Sequence, residues 1–309
     1  MLTVRGLSIR FTLYDVGLVR KDLHVITDLD LDVQAGEVVA VVGSSGSGKS
    51  LLAHAVLGIL PSNASVSGEM LFKGKPLTPE RQTGLRGREI ALIPQSIAYL
   101  DPLQRVGAQV RRAARLSGVG RKTAVQAQAA AFRRYGLAAE AERLFPFQIS
   151  GGMARRVLMA TATIGKADLL IADEPTPGLH PEAVKETLRH LREAADEGKG
   201  VVLITHDIEA ALQVADRIAV FYAGTTLEMA RAGDFLAGPQ SLRHPYTRAL
   251  WHALPQNDFA LLAGTQPPPD SLPSGCLFSD RCAEVTAVCR ERRPALRPTA
   301  DGWVRCCHA

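Results

Sequence analysis

Glu37-Val-Val-Ala-Val-Val-Gly43-Ser-Ser-Gly-Ser-Gly-Lys49-Ser50 decides how this chain folds. The apolar run up to Val42 has strand length and suits a sheet covered on both faces. A glycine–serine turn follows, and then a helical stretch from Lys49 to about Leu60. The octet Gly43–Ser50 satisfies the phosphate-binding pattern G-x-x-x-x-G-K-[ST] in full. Its residue types follow from the chemistry. Gly43, Gly46 and Gly48 let backbone N–H groups of the loop, Ser44, Ser45 and Ser47 included, turn toward phosphate oxygens, and the helix points its positive end at them. Lys49 is expected to reach the β- and γ-phosphates and the Ser50 hydroxyl to ligate Mg²⁺. A strand before the loop and a helix after it are what that mechanism requires.

Further strands frame this unit. Ile26–Val33 alternates apolar and polar residues, the pattern of a half-buried strand, and the first forty residues read as short strands throughout. Apolar runs at Asp168–Asp173, Gly200–Thr205 and Arg217–Tyr222 bracket a helical stretch from Pro181 to about Glu197, the alternation of a parallel sheet. The run Leu169-Leu-Ile-Ala-Asp173-Glu174 ends in two acids. After a phosphate loop this is a Walker B pattern, with Asp173 holding Mg²⁺ through water and Glu174 polarising the attacking water. Residues 103–145, rich in Ala, Arg, Gln and Leu, read as a helical insert. Between Ser96 and Ser150 nine Arg and Lys face three acids, while the rest of the chain is close to neutral. That excess is either a solvated helical face or a patch toward anionic lipid or a partner.

Ile149-Ser150-Gly151-Gly152-Met153 resembles the signature motif of ATP-binding cassette (ABC) proteins, usually L-S-G-G-Q. The resemblance implies that Ser150, Gly151, Gly152 and Met153 contact the γ-phosphate of ATP held by the opposite subunit, and that the loop through Leu51 cradles the phosphates. It also assigns two single residues. Gln95, in Ala-Leu-Ile-Pro-Gln, resembles the Q-loop glutamine that contacts Mg²⁺, and His206, in Leu-Ile-Thr-His-Asp, resembles the switch histidine at the γ-phosphate. Phe11, with Tyr14 second, is the candidate to stack on adenine. One departure stands out: the D-loop, usually ending Ala-Leu-Asp, reads Pro177-Gly-Leu-His180, and the aspartate's role is not carried over to His180.

The likeness extends into a narrower branch, the ATPase subunits of oligopeptide, dipeptide and nickel importers. Met153 in the signature motif, Leu100-Asp-Pro, His244-Pro-Tyr-Thr-Arg-Ala-Leu250 and a Cys-bearing tail carry it. All five cysteines lie in the last 34 residues, in Pro273-Ser-Gly-Cys276, Arg281-Cys282, Cys289, Val304-Arg-Cys306 and Cys307. The gaps are wider than those of common zinc sites, and a reducing compartment disfavours disulfides. The resemblance implies a [4Fe–4S] cluster in some members, held here by Cys276, Cys282, Cys289 and Cys306; zinc or unligated thiols remain open.

The expected fold is therefore α/β, a P-loop ABC ATPase core with an N-terminal antiparallel β subdomain, a helical insert at about 96–160 and a small Cys-rich extension. The expected boundaries are 1–238 for the nucleotide-binding domain and 239–309 for the extension. The 309 residues, net charge +5, contain no window of 18 apolar residues, and the N-terminus carries no export pattern. The resemblance implies an ATPase at the cytoplasmic face of a membrane, importing peptides, nickel or metal chelates. Its partners would be a second cassette subunit in a heterodimer, two transmembrane permeases and an extracytoplasmic binding protein. The alternatives are a soluble cassette acting on nucleic acid, and a weakly hydrolysing regulatory cassette with a redox-sensing tail. Only 54 residues separate Gln95 from Ser150, which leaves no room for the long coiled coil of chromosome-maintenance relatives.

Overall fold

The computed structural model describes residues 1–14 and 20–309. The chain opens with two long strands, β1 (Leu2–Tyr14) and β2 (Arg20–Val33), paired antiparallel. Strand β3 (Val38–Gly43) leads through the phosphate loop into α1 (Lys49–Leu57). Strands β4 (Ala64–Phe72) and β5 (Lys75–Pro76), helix α2 (Pro79–Leu85) and strand β6 (Ile90–Ile93) follow. The insert holds α3 (Val106–Leu116), α4 (Arg121–Arg134) and α5 (Gly151–Thr163). The core resumes with β7 (Leu169–Asp173), α6 (Pro181–Asp196), β8 (Gly200–Thr205), α7 (Ile208–Leu212), β9 (Arg217–Tyr222) and β10 (Thr225–Arg231). Helices α8 (Ala232–Ala237), α9 (Pro245–His252) and α10 (Ala287–Glu291) and the short strands β11 (Arg297–Pro298) and β12 (Trp303–Val304) complete it.

Two sheets result. One has the order β2-β1-β4-β5 and is antiparallel. The other runs β11-β12-β10-β9-β3-β8-β7-β6, with β9, β3, β8, β7 and β6 parallel. Central β3 explains the layering. Val38, Ala40 and Val42 face a core shared with the insert and α6, while Val39 and Val41 face a second core under the antiparallel sheet. Strand pleating sends alternate side chains to opposite faces, so an unbroken apolar run is what a doubly covered strand needs.

The two sheets are pinned by Arg217, which reaches Asp32 at 2.9 Å and also pairs with Glu37. All three side chains are largely buried, a setting in which removing one partner costs about 3–5 kcal/mol. A second such tie joins Arg305 near the C-terminus to Asp30 on β2. The Cys-bearing segment is thus packed onto the cassette rather than standing apart from it, and β12 extends the central sheet by pairing with β10.

Candidate nucleotide-binding site

Gly48 caps α1 at φ +94°, and a Cβ there would lie 2.3 Å from the Ile26 Cδ1 atom. That left-handed φ is one that L side chains rarely adopt, which is why the loop ends in glycine before its lysine. Lys49 folds back over the loop: its Nζ donates to the carbonyls of Gly43 (2.8 Å) and Ser44 (2.9 Å). Burial lowers its pKa, while Glu174 and Asp173 oppose that shift. The ammonium is therefore held between loop carbonyls and two carboxylates.

The loop opens on a cavity of about 490 Å³, lined by Val25, Ser45, Gly46, Gly48, Lys49, Ser50, Leu51, Gln95, Glu174 and His206. Nine of the expected site residues are thus brought to one place from four separate loops: Ser45, Gly46, Gly48, Lys49, Ser50 and Leu51 as one group, with Gln95, Glu174 and His206 opposite. Asp173 sits just behind. Burial raises its pKa, the Ser50 hydroxyl beside it lowers it, and its Oδ1 is buried with no hydrogen-bond partner among the described residues. A buried carboxylate oxygen left free beside a serine hydroxyl is the hard-oxygen donor set that Mg²⁺ selects, so these residues fit the ion.

Glu174 holds φ +45°, a left-handed conformation that costs a non-glycine residue of order 1–3 kcal/mol. Its N–H donates to the Ile204 carbonyl at 2.9 Å, which fixes the turn against β8. The strain aims its carboxylate at His206, whose Nδ1 lies 3.0 Å from both oxygens. The carboxylate is mostly buried and the imidazole mostly exposed, so the pair presents a carboxylate at the cavity wall with the exposed ring beside it. Arg155 on α5 ties the insert in: its Nη1 reaches the carbonyls of Gln95 (3.4 Å) and Glu174 (3.5 Å). The sequence gives Arg155 no role, because an arginine on a basic helix carries no distinguishing signal.

The signature residues lie elsewhere. Ser150 caps α5, its Oγ accepting from the Met153 N–H at 3.2 Å. Gly151 is exposed, and Gly152 lines a different cavity of about 400 Å³ between α5, α6 and the D-loop, with His180, Arg155 and Arg156. None of the four borders this chain's own phosphate cavity. Phe11 lies outside the phosphate cavity; two residues beyond buried Ile9 on β1, it is partly buried against the core under the antiparallel sheet, opposite Leu23 and Ala64. Tyr14 is exposed, with Arg20 over its ring at 5.9 Å. The wall of the phosphate cavity also contains Val25, an aliphatic residue that no motif marks.

The family model for ABC transporters matches residues 26–177, and that for the C-terminal region of oligopeptide/dipeptide transporters matches residues 227–289. Over the whole chain, the dipeptide transport ATP-binding protein DppD of Escherichia coli is 35% identical, covering 100% of this chain and 96% of its own length. This chain belongs to the ABC transporter ATP-binding proteins. The DppD protein of Bacillus subtilis is 34% identical over 97% of this ABC chain and 92% of its own, and the oligopeptide transport ATP-binding protein OppD of Salmonella typhimurium 32% over 99% and 93%. A dimeric ATP-binding cassette solved after hydrolysis, with ADP and Pi, superposes with a TM-score of 0.66 at 22% identity, over 75% of this chain and 99% of that one. An ABC cassette is an ATPase, and the geometry above is consistent with ATP hydrolysis.

Two features of the ABC branch acquire structural reasons. His244 of the His-Pro-Tyr-Thr-Arg motif is wholly buried, and burial lowers its pKa to about 3. It stays neutral and caps α9 by accepting the Tyr246 N–H at 3.0 Å on Nδ1. In Pro273-Ser-Gly-Cys276, Gly275 can carry no side chain, since a Cβ would lie 2.2 Å from the Cys289 carbonyl. That close approach lets the Cys276 N–H donate to the same carbonyl at 2.7 Å.

The thiols are drawn together. Burial pushes Cys276 up to about 11, and the neighbouring thiols of Cys289, Cys282 and Cys306 push the same way. Burial also raises Cys289, but hydrogen bonds from Thr286, His308 and Cys307 bring it down to about 7. Among the described residues no group of three or more His, Cys, Asp or Glu is placed to hold a metal ion.

Proposed function

We propose that this chain is the ATP-hydrolysing subunit of a multisubunit importer of peptides. The observation that carries the reading is one chain joining a complete phosphate cavity to an extension matching the oligopeptide/dipeptide transporter C-terminal region. We take residues 1–238 as the cassette and 239–309 as that extension. No described helix is long and apolar enough to cross a membrane, so permease subunits would supply the path. A docking face is available beside Gln95, where Ile97, Tyr99 and Leu103 are exposed, Leu103 at 86%. A second cassette subunit would bring its own Ser-Gly-Gly turn to this chain's cavity, since Ser150, Gly151, Gly152 and Met153 face away from it. The cassette would then lie at the cytoplasmic face of the membrane.

In the proposed mechanism the loop N–H groups and Lys49 hold the phosphates, and Glu174 accepts the proton of the attacking water. His206 orients that carboxylate and meets the γ-phosphate. Mg²⁺, held by Ser50, Gln95 and Asp173, would neutralise phosphate charge when bound. The test is ATPase activity of the purified whole complex. Its peptide-loaded binding protein should stimulate turnover; stimulation by a nickel-loaded one alone would move the substrate from peptides to metal.

We further propose that Cys276, Cys282, Cys289 and Cys306 hold an iron–sulfur cluster. What supports it is that Cys289, Cys282 and Cys306 lie near enough to Cys276 for their charges to raise its pKa. Iron and acid-labile sulfide in anaerobically purified protein are the expected result, and absence of both would remove the cluster.

A further inference from the structure

The Ser44 side chain of the phosphate loop is held by the other end of the molecule. Its Oγ donates to Oε1 of Gln266 at 2.7 Å, across 222 residues of sequence. The same Oε1 accepts the Ala223 N–H at 3.2 Å, in the turn between β9 and β10. That turn touches the loop again, Gly224 donating to the Ser47 carbonyl at 3.2 Å. Lys49 meanwhile holds the Ser44 carbonyl at 2.9 Å. Ser44 is thus gripped on its backbone by the loop lysine and on its side chain by the extension.

Gln266 is itself held in place. Arg281 donates to the carbonyls of Leu262 (3.3 Å) and Ala263 (2.9 Å) and to the Tyr222 hydroxyl (3.3 Å). Its guanidinium lies over the rings of Tyr222 and Phe278, and those rings pack with Tyr246 at 4.6–5.4 Å between centroids. The Tyr246 phenol faces Ser44 as well, and burial holds its pKa up while Ser44 draws it down. The segment carrying Gln266 therefore rests on an aromatic cluster rooted between the P-loop and Cys276.

We propose that Gln266 is a positioning residue for the phosphate loop, so that the C-terminal extension acts as a clamp preorganising the loop for nucleotide. The physical reason is entropic. A glycine-rich loop loses much freedom when it orders around phosphates, and a contact that orders it beforehand leaves less to lose on binding. Nothing in this requires Gln266 to touch ATP. The proposal rests on the phosphate-loop reading of residues 43–51, and the test separates the two.

The experiment is a double-mutant cycle in the full-length chain with Gln266→Ala, Ser44→Ala and both, read as Mg-ATP affinity by a fluorescent nucleotide and as Tm without nucleotide. Gln266→Ala removes the acceptor of two hydrogen bonds, from Ser44 and from Ala223; loss of the Ser44 contact, one bond of ordinary strength, should weaken ATP binding about five-fold, leaving Tm and, in the assembled complex, kcat near wild type. The double variant should be no weaker than Ser44→Ala alone, because Gln266 acts through Ser44. Unchanged affinity in Gln266→Ala, or losses that simply add, would overturn the clamp, as would an affinity loss matched by a fall in Tm. Failure of the phosphate-loop reading itself looks different, since then neither wild type nor any variant would bind ATP.

Discussion

Replacing Lys49 by alanine leaves a folded chain whose affinity for ATP falls roughly 100-fold or more. Two losses combine. The ammonium is the cation that meets the phosphates, and a hydrogen bond to a charged group is worth about 1.5–3 kcal/mol. It also closes the loop through the carbonyls of Gly43 and Ser44, so its removal frees the backbone that cradles the phosphates. The fold should notice much less. Burial already depresses the Lys49 pKa, so the buried charge carries a desolvation cost that disappears with it. The expected Tm change without nucleotide is within about 4 °C, while the stabilisation that Mg-ATP gives the wild type is lost. Lys49→Arg should fail too, because a planar guanidinium does not fit between the two loop carbonyls as a compact ammonium does. Calorimetry and thermal shift with and without Mg-ATP check this; a Lys49→Ala protein still stabilised by ATP like wild type would exclude Lys49 as the phosphate cation.

The centre of this molecule is readable in the sequence because its strands are buried on both faces. The expected strands at Gly200–Thr205 and Arg217–Tyr222 coincide with β8 and β9, where every exposed alternative is closed off by the two cores. The expected helix from Pro181 ends at Asp196, one residue short. Strand β4 escaped notice for the opposite reason. It lies between β1 and the two-residue β5, its side chains are mostly exposed, and no hydrophobic alternation marks it. Strand β10 follows a two-residue turn at Ala223-Gly224 whose φ values are both positive. That hairpin geometry matches the twist of paired strands, and the glycine was the one signal that could have announced it.

The site divides in the same way. Residues bound to a motif, Lys49, Asp173, Glu174, Gln95 and His206, fall where their spacing and strand ends place them. Contacts that depend on tertiary packing do not show in the sequence. Val25 enters the cavity wall from β2 with no motif to mark it. Gln266, in Gln-Pro-Pro-Pro, reads as linker, and only the folded chain sets its amide beside Ser44. Likewise the thiols, which look like a module appended to the cassette, are connected to the loop through Phe278, Tyr222 and Tyr246.

Glu174→Gln should keep ATP binding and reduce turnover by about 10²–10⁴-fold, the range for removal of a positioned general base. Gln is nearly the same size and can still meet His206, so the cavity survives while the proton acceptor does not. The backbone sharpens the prediction. Glu174 holds φ +45° at a cost of order 1 kcal/mol or more, and Gln inherits that cost unchanged, so Glu174→Gln should show wild-type Tm. Glu174→Gly relieves the strain and should raise Tm slightly, yet lose turnover as completely. Stability and activity thus move apart at one position, as happens where a strained residue is kept for function. Turnover of the assembled complex, nucleotide occupancy and Tm are the three readouts. If Glu174→Gln hydrolysed ATP at the wild-type rate, the base would have to be another group, and the strain at Glu174 would lack a chemical reason.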